Sequence, residues 1–110
     1  VSVFDAATFA QVILQGARNE IGEDEELAQE LGELEKDVEA TLAALEIEAD
    51  GRKASALKDD LARFLPARKA AILSAARSKR SVYMAAALET ALEIATQGAL
   101  AVAKAFVGRA

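Results

Sequence analysis

Carboxylates are the side chains of this sequence most able to do chemistry, and they are unevenly placed. Of the 18 acids, 13 fall within residues 20–50, where Glu23, Glu26, Glu30, Glu33 and Asp37 recur at spacings of 3-4-3-4. On a helix that spacing lines one face. A row of carboxylates can bind hard cations or imitate a phosphate backbone. A Ca²⁺ site, however, needs oxygens converging from several directions around a tight, Gly-containing loop, which the row lacks, so it reads as the solvated flank of a helix. Glu89 and Glu93, one turn apart, would be an acid–base pair if buried; with Gln97 and Lys104 they trace a polar stripe instead. The third cluster is basic. Arg77, Lys79 and Arg80, flanked by Ser78 and Ser81, resemble a phosphate patch, but without the interleaved aromatics or motif of a nucleic-acid site.

The chain has no His and no Cys. That removes disulfides, thiol nucleophiles, imidazole acid–base work and the usual Zn, Cu and haem ligand sets, and it denies a di-metal carboxylate bundle its Glu-x-x-His pairs. No Gly-rich phosphate loop, Gly-x-Ser-x-Gly elbow or redox motif occurs. The expectation is a protein with no catalytic residues, no metal, no cofactor and no small-molecule substrate.

At 110 residues and 53% hydrophobic composition, the chain can bury one modest core. Ala, Leu, Glu, Lys and Arg dominate and aromatics make up 5%, so the fold class is all-α. Four helices are predicted. The first covers about 4–20, with Asp5 as N-cap, Phe4 and Phe9 as a hydrophobic staple, Ser2 offering a cap one turn earlier, and Gly22 ending it in the left-handed conformation. The second covers about 24–49. Its apolar positions Leu27, Leu31, Leu34, Val38, Leu42, Leu45 and Ala49 make two eleven-residue repeats, a period of about 3.67 per turn that keeps the seam nearly straight.

A turn at 50–51 follows, with Gly51 free to take positive φ. The third helix covers about 53–77, with Leu57, Leu61, Leu65, Ile72 and Ala76 on one side and a kink expected at Pro66. The last covers about 82–107, with Met84, Leu88, Leu92, Ala95, Ala99, Val102 and Phe106 in line, and Ser78 and Ser81 are available to cap a break before it.

Residues 20–50 carry 13 acids and one Lys, a net −12, whereas residues 51–80 carry nine bases and two acids, a net +7. A fold-back at Asp50–Gly51 sets Glu23, Asp24, Glu25 and Glu26 beside Arg77, Lys79 and Arg80. The same fold-back sets Leu45 near Leu57, Val38 near Phe64 and Leu31 near Ile72. Charge and apolar patterns thus select one antiparallel helical hairpin. Exposed ion pairs contribute about 0–1 kcal/mol each and buried Leu or Ile side chains about 1.5–3 kcal/mol each, so the seam stabilises the hairpin and the charges choose its register.

The N-terminal and C-terminal helices are more apolar than a hairpin alone can cover. Either they bury each other in a four-helix bundle-like arrangement, or an elongated molecule offers them to a partner. Ala87, Ala91, Ala95, Ala99 and Ala103 form a ridge suited to close helix approach. The strip Leu88, Leu92, Ala95, Ala99, Val102 and Phe106 is the candidate association surface, for another copy of the chain or another helical protein. The function expected is that of a non-enzymatic structural or adaptor protein, a subunit of a larger or homo-oligomeric assembly such as a virion or secretion apparatus.

Two alternatives are a membrane-surface helical protein and an acidic inhibitor or nucleic-acid mimic using Glu23–Asp37. The acidic stripe of the last helix argues against anionic lipid, and neutralisation of the basic run by the acids argues against nucleic acid. Glu89, Glu93 and Lys104 in the most apolar stretch, and no leader pattern at the start, give the expectation of a soluble chain. In outline the chain resembles the small acidic helical-hairpin proteins exported by WXG-type secretion systems, in length and in its mid-chain turn. Here the turn is Ala49-Asp50-Gly51-Arg52 with no Trp, and Ala87 rather than an acid follows Tyr83 by four residues, so nothing of that family is carried over.

Overall fold

The computed structural model describes residues 4–79 and 82–109, which form four helices: α1 (Ala6–Ile21), α2 (Glu25–Ile47), α3 (Gly51–Lys79) and α4 (Val82–Arg109). Ser2, Arg80 and Ser81 lie outside the described residues. With them lie the alternative cap of α1, part of the expected basic run and the join between α3 and α4.

Three aspartates start three helices. Asp5 has extended backbone, and its carboxylate accepts from the Thr8 backbone N–H at 3.1 Å and from the Thr8 hydroxyl at 2.9 Å. The Phe4 and Phe9 rings meet at 5.7 Å across this cap, closing the staple. Phe4 also stands edge-on to Phe106 at 5.0 Å, tying the entry of α1 to the end of α4. Asp24 caps α2 by accepting from the Leu27 N–H. Asp50 accepts from Arg52 and Lys53 N–H groups at 2.8 and 3.3 Å, so α3 begins at once after it.

Those caps correct two expectations about glycine. Gly51 is the first residue of α3 and does not take positive φ; among the described residues Gly22 alone does, at φ 60°. Its ψ of −129° is not left-handed helical but lies in a region open to glycine, and it turns the chain sharply from α1 to α2. Pro66 does not end α3, which continues to Lys79. Ala62 and Pro66 are both exposed, so the carbonyl left without its helical partner faces solvent.

Leu27, Leu31, Leu34, Val38, Leu42 and Leu45 of α2 are all buried, while Ala49 falls beyond the helix and is exposed. From α3 come Ala54, Leu61, Leu65, Ile72, Leu73 and Ala76, with Leu57 and Phe64 partly buried beside them. All four helices contribute to this core. α1 packs on α2 and α4, α3 packs on α2 and α4, and α2 reaches α4 across the diagonal; among the described residues α1 and α3 do not meet. The result is an all-α four-helix bundle of 45 × 25 × 18 Å. Its long dimension follows from α3, whose 29 residues span about 43 Å.

Candidate functional site

The hairpin charges come first. Lys79 pairs with Glu26 and lies 3.7 Å from Asp24, and the carboxylate of Glu26 is the main reason its ammonium holds its proton above the usual lysine range. Arg77 does not meet the acidic run. It turns to α4 and pairs with Glu89 at 3.4 Å, because its position on α3 faces α4 and not α2. Glu23 and Glu25 are exposed and form no ion pair among the described residues.

Arg68 joins α2 and α3 more closely. Its guanidinium spans Glu33 at 3.2 Å and Asp37 at 3.1 Å, two acids one turn apart. Residues 79 and 68 thus lie opposite 24–26 and 33–37, the register of a fold-back at Asp50. Of the acidic row, Glu26, Glu33 and Asp37 are paired with α3, and among the described residues no group of acids converges to hold a metal ion.

The strip assigned to association lies inside the molecule. Leu88, Leu92, Ala95, Ala99 and Phe106 are buried and Val102 is half-buried; they are the core face of α4 and are not available to a partner. Most of the Ala ridge has a cover as well: Ala95, Ala99 and Ala103 are buried and Ala91 is half-buried, while Ala87 sits at its edge. α1 lies along it, with Gly16 set so that an added methyl would come within 3.7 Å of the Ala91 Cβ, and Gly98 facing Ile13. Alanine marks no side of a helix as inner or outer. The apolar periodicity of α4 therefore marks its core face and not a surface left for a partner.

Another face remains open. On α4 the residues Tyr83, Ala87, Thr90, Ile94, Gln97, Ala101 and Lys104 recur at 4-3-4-3-4-3 on the side away from the core, all exposed except the half-buried Ala87. Ile94 is 67% exposed and Tyr83 85%. Beside them α1 turns Thr8, Gln11, Val12, Gln15 and Asn19 outward, with Val12 also 67% exposed. Lys104 is the one charge in both groups.

Three of the other charges of α1 and α4 pair with the hairpin; of the rest, Arg109 lies over the Phe106 ring and Glu20 is half-buried at the end of α1. Arg18 pairs with Glu35 of α2, Glu89 with Arg77 of α3, and Glu93 with Lys69 of α3. The Lys69 ammonium lowers the Glu93 carboxyl below its ordinary value. The bundle is two-sided, with a charged half on α2 and α3 and a neutral half on α1 and α4. The signal for it lay in the even 3-4 spacing of uncharged residues along Tyr83–Lys104. No family model, curated protein or solved structure matches this chain.

Proposed function

We propose that the protein is a non-enzymatic structural or adaptor subunit, acting through helix–helix association at its neutral α1/α4 face. The observation that carries this reading is the segregation of charge: in a chain where 28% of residues are charged, the face that Thr8, Gln11, Val12, Gln15 and Asn19 of α1 make with the Tyr83–Lys104 seam of α4 carries Lys104 alone, with exposed Glu89 and Glu93 along its α3 border and Arg109 at its end. Interface cores are depleted of charge because each buried ion would have to be desolvated. Thr, Gln and Asn among Ala, Val and Ile give such a face hydrogen-bonding capacity without that cost. The charged α2/α3 half stays in water and keeps an assembly soluble.

Sedimentation of the parent chain and of a Val12→Glu/Ile94→Glu variant over a range of concentrations tests the reading. The parent is expected to sediment above the monomer mass, and the variant as a helical monomer. Identical sedimentation of both as monomers would remove the self-assembling form of the proposal. A second reading, docking of the same face on a lipid surface, draws on Tyr83–Arg109 being long and apolar enough to cross a membrane by length and composition. Flotation with zwitterionic vesicles, lost on Ile94→Glu, would favour lipid over protein.

A further inference from the structure

We infer that the occupant of the α1/α4 face is a second copy of this chain, docked antiparallel about a two-fold axis passing Ile94. This rests on the association reading above and names its partner. The first argument is the order of residues along the exposed seam. Ile94 lies near the middle of α4, with Ala87 and Ala101 seven residues to either side, Thr90 and Gln97 between, and Tyr83 and Lys104 toward the ends. Reversing the helix about Ile94 lays Ala87 of one copy on Ala101 of the other, and brings Thr90 and Tyr83 to within one residue, about 1.5 Å along the axis, of facing Gln97 and Lys104. Small residues then meet small ones and let the backbones approach, an hydroxyl meets an amide, and the one charge of the face meets an aromatic ring. A parallel pairing in register would instead set Lys104 on Lys104 and Tyr83 on Tyr83.

Charge is the second argument. Each copy carries a net −5, so two copies repel unless they meet where that charge is absent, and the α1/α4 face is such a place. Both acidic flanks then point outward from the pair. Area is the third. A face as long as the 28 residues of α4, about 42 Å, and two helices wide along the 16 residues of α1, about 24 Å, offers on the order of 700 Å², close to the roughly 800 Å² that each partner of a standard-sized interface contributes.

The chain has no Cys, so single cysteines read the geometry without background. In a two-fold pair, residue 94 of each copy adjoins residue 94 of the other, while residues 87 lie about 21 Å apart along the helices. Ile94→Cys is expected to form covalent dimers with a short bismaleimide. Ala87→Cys and Ala101→Cys should cross-link when mixed, by on the order of tenfold over either alone, because held neighbours react at effective concentrations that diffusing copies do not reach. Ser74→Cys, on the exposed side of α3, is the control and should stay monomeric.

Self-linking of Ala87→Cys as strong as its linking to Ala101→Cys would mean parallel packing and overturn the inference, as would a Ser74→Cys yield equal to that of Ile94→Cys. If the parent associates and the Val12→Glu/Ile94→Glu variant does not, yet the cross-links fall elsewhere, the two-fold arrangement fails and the association reading stands. If parent and variant are both monomeric, the self-assembling reading fails with it.

Discussion

Gly16 and Gly32 occupy helix interiors with room to spare. A methyl added at Gly16 would lie in ordinary contact with Ala91, and one at Gly32 would meet nothing within 4 Å. Glycine in a helix costs about 0.5–1 kcal/mol relative to alanine, so Gly16→Ala and Gly32→Ala should each raise the urea midpoint by a stabilisation of that size. A fall would show that either position needs its glycine for close approach. Single carboxylates also set the pH response. The Asp5 carboxyl is held below its ordinary value, chiefly by the Thr8 backbone N–H, and Glu93 chiefly by the hydrogen bond from Lys69. Groups lowered on folding stabilise the native state above their unfolded value and lose that contribution as acid protonates them. The thermal midpoint should therefore hold through neutral pH and fall below the ordinary carboxylate range, and Glu93→Gln should flatten that fall. A midpoint that rises on acidification would contradict these assignments.

Between helices, large side chains and charges divide the work. Arg68→Glu with Lys79→Glu would set like charges against Glu33, Asp37 and Glu26. The urea midpoint should drop, and drop further at low salt, since exposed charges are screened within about 8–10 Å at physiological ionic strength; a loss independent of salt would mean that packing and not charge was disturbed. This hairpin was legible because Leu27 to Leu45 repeat as bulky aliphatic residues that can face only inward, and because thirteen acids on 20–50 need the bases that follow. The sidedness of α4 was not. Ala91, Ala95, Ala99 and Ala101 have the same chemistry on every side, and which of them lies inside depends on where α1 comes to rest. Arg77 shows the same limit. Its place in a basic run suggested the acids of α2, while two residues of helical rotation from Lys79 carry it to Glu89 on α4.

Taken whole, the molecule divides its surface between a half that must stay in water and a half that need not. The charged α2/α3 hairpin has ion pairs along its length, whereas α1 and α4 send Arg18, Glu89 and Glu93 toward that hairpin and leave Val12 and Ile94 bare. Adjacent residues of α4 report the two sides separately. Ala95 is 2% exposed within the core and Ile94 is 67% exposed on the neutral face. Circular dichroism and sedimentation of Ile94→Glu and Ala95→Glu together give the most direct test of a neutral association face. Burying an unpaired carboxylate at Ala95 costs several kcal/mol out of a total stability of about 5–15 kcal/mol, so Ala95→Glu is expected to melt early or lose its helical signal. Ile94→Glu is expected to keep the parent's helicity and melting while sedimenting as a monomer at concentrations where the parent does not. A folded, monomeric Ala95→Glu beside an Ile94→Glu that associates like the parent would place the association surface on the other side of α4 and contradict the account.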